Sequence, residues 1–328
     1  MVVAKVWQRV KAFEGNPKQS DFKLVDEKLA DTLKENEILI EAVYFTVDPY
    51  IRVLDLPTGL PAEQVARILD SKAKDFPKGS LVLAHVGWRS HAIINVTEPM
   101  NLGFKATIVP EIAGLSPSLW LGIIGMPGVT AYMAFLERCD PKPGEVVVVS
   151  AASGAVGSVV GQLARDKGCT VIGSAGSKDK CDWLKSLGFQ HVFNYKETAP
   201  EEALKQYAPD GVDIYYDNVG GDHTEAVLNN LRVKARVLIC GQISAYNQAR
   251  DMVPNPYRKI LRAEAKVQGF LIFKHLADFP RVRKEIISLV QQKKLQPRET
   301  ITQGFKNMPQ AFMDLFTGAN FGKAIIKV

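Results

Sequence analysis

Residues 146 to 157 read VVVVSAASGAVG and combine the residue types that a phosphate-binding turn requires. Val146 to Val149 form a wholly apolar, β-branched run, suited to a central strand buried on both faces. A turn of small residues follows: Ala152, Ser153, Gly154, Ala155, Val156 and Gly157. Gly154 and Gly157 stand at the last two glycine positions of a dinucleotide fingerprint, with Ala152 at the first. Helical periodicity then continues through Val159, Val160, Leu163 and Ala164. Small side chains let backbone N–H groups approach a pyrophosphate, which then sits on the positive end of the helix. A glycine pattern alone also fits an ordinary tight strand-to-helix turn, so its surroundings must decide.

The next strand end bears on which coenzyme would fit. An NAD-selective site usually places Asp or Glu there to hold the ribose hydroxyls. Here the sequence is VIGSAGSKDKCDW, with Ser174, Gly176 and Ser177 at the strand end and Lys178 and Lys180 just beyond. A dianionic ribose 2′-phosphate suits hydroxyls and an ammonium, and a carboxylate would repel it. The alternative is that both lysines are solvated charges, but lysine is unfavourable at the N-terminal end of a helix dipole. The pattern favours NADPH over NADH.

The elements that must position these residues alternate. Strands are predicted at Thr170–Ser174, Val212–Tyr216 and Arg236–Cys240, with a helix at Lys180–Leu187 and a short apolar stretch at His191–Phe193. This is the spacing of an α/β, doubly wound parallel sheet. Asn218 and Tyr246 both follow predicted strands, at the carboxyl edge where such sheets bind ligands. As alternatives, Asn218 belongs to a mere turn and Tyr246 is a half-buried hydrogen-bonded ring. The first 120 or so residues are β-rich. EILIEAVYFTVDPYIRV alternates and then turns at Asp48-Pro49, LVLAHVGWRSHAII reads as a barrel hairpin, and Pro77-Lys78-Gly79 is the turn entering it. Leu115 to Leu136 is helical in pattern and broken at Met126-Pro127-Gly128. The helix PRVRKEIISLVQQKK closes the nucleotide domain, and an amphipathic helix (Met308–Phe316) and a strand (Lys323–Val328) follow. The expected domains are residues 1–122, 123–294, and a segment 295–328 returning to the first.

At 328 residues, with 46% hydrophobic and 23% charged content, the chain has the composition of a two-domain soluble globular protein. The 41 basic and 35 acidic residues give +6 without any long basic run, so nucleic acid is not expected as a partner. MVVAKVWQRVKAF has no apolar core and does not read as a signal peptide. The longest uncharged stretch, Ile112–Leu136, is interrupted by prolines and glycines, so a membrane span is not expected. A cytoplasmic location is the default. Cys139, Cys169, Cys181 and Cys240 show no paired spacing and form no close ligand set with His85, His91, His191, His223 and His275. No metal is expected.

VDPYIR, GMPGVTAY, AASGAVGSVVGQLA, LGFQHVFNYK, YYDNVGG, CGQISAYN and GFKNMPQAF together resemble the zinc-independent medium-chain dehydrogenase/reductases. Within these the chain is most similar to the prostaglandin reductase and leukotriene hydroxydehydrogenase group, over nearly its whole length. DNVGG and the ISxYN loop are much more specific than the glycine turn. The resemblance implies a Rossmann-type sheet with a GroES-like, partly open barrel as catalytic domain. It also implies NADPH-dependent saturation of the carbon–carbon double bond of α,β-unsaturated ketones and aldehydes, 15-oxoprostaglandins among them, and a homodimer.

Site residues follow from the same resemblance. Ala152 to Gly157 would line the pyrophosphate, Lys180 hold the 2′-phosphate, and Tyr195 pack near the adenosine ribose. Asn218, then Cys240, Gly241, Ile243, Ser244 and Tyr246, would run toward the nicotinamide. Phe270, Leu271 and Ile272 would contact its end, and Asn320 would reach in from the C-terminal segment. Hydride delivery to the β-carbon of an enone leaves an oxyanion on the carbonyl, so a donor aimed at that oxygen supplies most of the catalysis. The resemblance implies the nicotinamide ribose 2′-hydroxyl as that donor, with a tyrosine or water protonating the α-carbon; Tyr246 and Tyr50 are the protein's candidate donors, Tyr50 having a core role as its alternative. Arg52 is a candidate cation for a substrate carboxylate.

Two departures stand out. Arg262 occupies a position where relatives commonly carry tyrosine, with Tyr257 the nearest ring; it either acts as a cationic donor or faces solvent. The stretch LDLPTGLPAEQVARILDS lacks the usual Met-Gly-Gln/Glu pattern in a region that touches substrate in relatives. A quinone or alcohol oxidoreductase and a non-catalytic NADPH-binding or RNA-interacting protein are the competing readings. Alcohol chemistry is disfavoured because neither zinc ligands nor a tyrosine/lysine pair is visible, and scattered basic residues disfavour RNA.

Overall fold

A computed structural model describes residues 1–54, 59–248 and 255–328. Asp55 to Thr58, within the divergent stretch, lie outside the described residues. The chain divides into two units, Met1–Gly125 with Glu299–Val328, and Met126–Arg298.

In the first unit, β1 (Val3–Arg9) pairs antiparallel with β2 (Phe22–Lys28). β3 (Glu37–Thr46), β4 (Gln64–Ser71), β5 (Leu81–Ala84), β6 (His91–Asn95) and β7 (Thr107–Val109) follow. The alternation in β3 buries Ile38, Ile40 and Ala42 and leaves Glu41 exposed, as a sheet with one face on a core requires. The expected hairpin of β5 with β6 does not form. β5 pairs β4 and β7, whereas β6 pairs β3. The intervening segment is drawn onto β1 instead: Trp7 N donates to Trp88 O at 2.9 Å, and Ser90 N to Lys5 O at 2.9 Å.

The second unit opens with α1 (Met126–Tyr132) and a π-helical stretch, Met133–Cys139. The expected break at Met126-Pro127-Gly128 is a helix start, because Pro127 falls in the first turn, where its missing N–H has no partner to lose. Then come β8 (Val146–Val149), α2 (Gly157–Asp166), β9 (Thr170–Ala175), α3 (Lys178–Ser186) and β10 (His191–Asn194). α4 (Pro200–Tyr207), β11 (Val212–Asp217), α5 (Gly221–Leu228), β12 (Leu231–Ile239), α6 (Tyr257–Ala263), β13 (Lys266–Gly269) and α7 (Phe279–Gln291) complete it. The strands lie in the order β10-β9-β8-β11-β12-β13, all parallel. This is the Rossmann order, and its reversal point lies between β8 and β11. Val147 to Val149 are fully buried, which explains the uninterrupted valine run.

The chain then returns to the first unit with β14 (Glu299–Gln303), α8 (Met308–Thr317) and β15 (Lys323–Lys327). β15 pairs β3, and Phe312 of α8 packs against Phe13, Phe22 and Trp88. Trp7 Nε1 donates to Phe305 O at 3.0 Å, tying the first strand to this segment. The sheet here is mixed and seven-stranded. Among the described residues no helix is long and apolar enough to cross a membrane.

Candidate cofactor site

The turn after β8 is held by its own backbone. Gly154 N donates to Ala151 O at 2.9 Å, and Ala152 N donates to Ser174 O of β9 at 2.9 Å. Ala152 and Ser153 are buried; Gly154, Ala155 and Val156 are partly open. A Cβ at Gly157 would stand 2.6 Å from Ala151 O and 2.9 Å from Ala152 Cα, both backbone atoms that cannot yield cheaply. The absent side chain lets α2 start directly against the turn, with its first N–H groups beside the exposed backbone.

At the end of β9, the Ser177 hydroxyl caps α3 by accepting from Lys180 N at 3.5 Å. Lys178 is exposed and ion-paired with Asp182 one turn on, so it is the solvated charge of the pair. Lys180 is half-buried, and its ammonium is held below the usual lysine range by desolvation and then by Lys196. Lys196, which directly follows Tyr195 in the chain, is thus near enough for its charge to act on Lys180. The Tyr195 hydroxyl would lie 2.9 Å from a Cβ at Gly176, so that glycine admits the ring over the strand end. Lys196 was not singled out from the sequence; its signal was a second lysine directly after the tyrosine of NYK.

The loop after β11 is organised by Asp217, a buried carboxylate that the motif reading passed over. Its Oδ1 accepts from Val219 N and Gly220 N, each at 2.9 Å, and from the Tyr215 hydroxyl at 2.9 Å. Oδ2 accepts from Thr224 Oγ1 at 2.5 Å. An acid ending an apolar strand just before paired glycines is the signal that could have found it. Asn218 Nδ2 donates to Ser150 O at 2.8 Å. Backbone bonds join the segment after β12 to this loop: Cys240 N and Gly241 N donate to Asp217 O, Ile243 N to Asn218 O, and Ser244 N to Val219 O. Burial pushes the Cys240 thiol up to about 11, so it is neutral at physiological pH. Gln242 N donates to the Tyr246 hydroxyl oxygen at 3.3 Å. Desolvation raises Tyr246 above the usual phenol range, so its proton is retained and directed away from that bond.

The predicted residues separate into groups. Ala152 to Val156, Tyr195, Asn218 and Cys240 to Tyr246 stand on the loops after β8, β10, β11 and β12, while Gly157 opens α2 and Lys180 lies in the first turn of α3, after β9. β13 stops at Gly269, so Phe270 to Ile272 follow the edge strand and do not extend it. Phe270 stacks on His275 at 5.0 Å, Leu271 is exposed and Ile272 is buried; the first two help line a cavity of about 490 Å³ with Arg138 and Lys274. Arg262 is exposed in the last turn of α6, and Tyr257 is 75% exposed.

Tyr50, Arg52 and Asn320 are carried by the first unit. Tyr50 packs against the aromatic core, with its hydroxyl 3.5 Å from His85 Nε2. Arg52 donates to Phe13 O at 3.3 Å and Gly15 O at 3.4 Å and lies over the Phe13 ring, which gives it a loop-fastening role. Asn320 Nδ2 donates to Gly322 O at 3.0 Å. Among the described residues no group of three or more His, Cys, Asp or Glu side chains is placed to hold a metal ion.

These features fit a dinucleotide bearing a 2′-phosphate: a turn where a Cβ would clash, a helix start, and a half-buried Lys180 within electrostatic reach of Lys196, with no acid at the strand end. Family comparison agrees. The family description "Zinc-binding dehydrogenase" matches residues 155–290, and "N-terminal domain of oxidoreductase" matches residues 5–102. Prostaglandin reductase 1 of Bos taurus is 43% identical over 334 aligned positions, covering 100% of both chains. The chain belongs to the medium-chain dehydrogenase/reductases, in the prostaglandin reductase 1 group. Within this family, the NADP(+)-dependent 2-alkenal reductase of Nicotiana tabacum is 39% identical, over 96% of this chain and 94% of its own. CurA of Vibrio vulnificus, solved in complex with NADPH, superposes with a TM-score of 0.90 at 33% identity over 99% of each chain.

Proposed function

We propose that the chain uses NADPH to reduce the carbon–carbon double bond of α,β-unsaturated ketones and aldehydes, 15-oxoprostaglandins and short alkenals among them. The observation that carries this reading is Tyr246: a phenol at the carboxyl edge of the parallel sheet, kept protonated by burial and oriented by Gln242 N. What the bound coenzyme supplies is a hydride for the electron-poor β-carbon of the enone. Ala152 to Gly157 hold the pyrophosphate, Lys180 and Lys196 the 2′-phosphate, Tyr195 the adenosine ribose, and Asn218 and Cys240 to Tyr246 the nicotinamide half. Phe270 to Ile272 and Asn320 complete the coenzyme contacts.

Tyr246 donates a hydrogen bond to the oxyanion that develops on the substrate carbonyl, Tyr50 is the second donor we assign, and a proton delivered to the α-carbon by a tyrosine or by water completes the reduction. Arg262 is the substrate-side cation that remains, Arg52 being committed to main-chain carbonyls. We place the enzyme in the cytosol as a homodimer paired through β13, one of the sheet's two edge strands, acting in lipid metabolism with neither nucleic acid nor membrane as partner. The test is NADPH oxidation with 15-oxoprostaglandin and a short alkenal beside an isolated ketone and a quinone. Turnover of the enones alone supports the reading. Turnover of the quinone alone, or binding of NADPH with no turnover, overturns it.

A further inference from the structure

One hydrogen-bonded chain runs beneath the loops that follow β8, β9, β11 and β12, and a histidine stands at its centre. His223 of α5 is 7% exposed. Its Nε2 lies 2.8 Å from Ser174 Oγ, and its Nδ1 lies 3.2 Å from the Tyr215 hydroxyl. Tyr215 donates to Asp217 Oδ1. A phenol that has spent its proton on a carboxylate can only accept from the ring, so Nδ1 carries the hydrogen and Nε2 accepts from Ser174. Each polar atom of the neutral imidazole then has a matched partner. Ser174 O also accepts from Ala152 N of the glycine turn, and Asp217 fixes Val219 N and Gly220 N. The ring stacks between Phe193 and Tyr215, at 6.1 Å and 5.9 Å.

We propose that His223 is a positioning residue that, through Ser174 on one side and Tyr215 and Asp217 on the other, locks the cofactor-holding loops in a single arrangement. This rests on the reading of those loops as the NADPH site. His223 touches no substrate; it acts by keeping the glycine turn, the ribose-phosphate strand end and the DNVGG loop in register. Loss of one buried partner leaves the others unsatisfied and frees the loops to separate, which lowers affinity for a ligand spanning all of them.

The test is a double-mutant cycle on the full chain, with NADPH dissociation constants measured by fluorescence well below the thermal transition of each variant. His223→Phe keeps the stacked ring and removes both polar atoms; Ser174→Ala removes only the hydroxyl. The expected result is NADPH binding weakened roughly five- to thirtyfold by His223→Phe, with Ser174→Ala adding nothing on top of it. His223→Gln, whose amide offers a donor and an acceptor, recovers part of the loss. A merely structural role lowers the transition temperature and leaves the dissociation constant of His223→Phe within about twofold of the parent, which overturns the proposal. Fully additive effects of the two substitutions overturn it as well. Lys180→Glu serves as the control on the site itself. If it leaves coenzyme preference unchanged while His223→Phe still weakens NADPH binding, the phosphate assignment falls and the coupling stands; the converse pattern sinks the coupling alone.

Discussion

Lys323 Nζ lies 3.1 Å from Asp48 Oδ1, with both side chains almost closed to solvent. The ammonium also donates to Val47 O at 2.8 Å and Ala324 O at 2.9 Å, and the Thr46 hydroxyl donates to the other carboxylate oxygen. The last strand is thereby fastened to the turn Pro49–Arg52, which carries Tyr50. Lys323→Met leaves Asp48 charged and buried without its cation, a change that costs about 3–5 kcal/mol. Urea unfolding checks it, and a loss under about 1 kcal/mol contradicts this role.

Acid lability follows from two buried histidines. Burial, first of all, lowers both His85 and His223 from 6.5 to about 4. Between those values the unfolded chain takes up protons that the folded chain refuses. Stability is therefore full above about 6.5 and falls as pH drops toward about 4, by at most ~1.4 kcal/mol per pH unit for each ring. Urea midpoints measured from neutral pH down to pH about 4.5 should decline in the parent and less steeply in His223→Phe. Equal slopes in the two proteins would count against the burial of a neutral imidazole.

The glycine turn gives a graded pair of variants. At Gly157 a Cβ meets backbone at 2.6 Å, whereas at Gly154 the nearest atom is Ala151 O at 3.2 Å. Gly157→Ala should weaken NADPH binding tenfold or more, consistent with ~1–3 kcal/mol of overpacking, and Gly154→Ala much less. Titration of NADPH into each variant decides the order. Similar losses at both positions would show that the clash with the turn is not what excludes a side chain.

Tyr246→Phe removes the protonated phenol and leaves its ring. We expect kcat for enone reduction to fall roughly a hundredfold and NADPH affinity to fall far less, since the hydroxyl acts chiefly on the developing oxyanion. Single-turnover hydride transfer under saturating NADPH measures this directly. An unchanged rate would shift the donor's role to Tyr50.

The nucleotide half was legible because its signals are local. The valine run, the small-residue turn and the lysine-rich strand end are contiguous in the chain, and each depends on neighbours within a few residues. What escaped depends on distant partners. The segment between β5 and β6 looks like a hairpin loop until β1 claims Trp88 and Ser90. Arg52 resembles a substrate cation until Phe13 and Gly15 are seen to occupy it. His223 carries no motif at all, and only the fold brings Ser174 and Tyr215 to its two nitrogens.

Coenzyme choice tests the central claim most directly, because the rest stands on the proposed hold of Lys180 on a ribose 2′-phosphate. The measurement is the ratio of kcat/KM for NADPH over NADH, with a short alkenal as acceptor, in the parent and in Lys180→Glu. We predict a parent that strongly favours NADPH and a variant whose ratio falls roughly a hundredfold or more, through loss of a charge-assisted contact and gain of a repulsive one. A ratio left unchanged by the substitution would contradict the account.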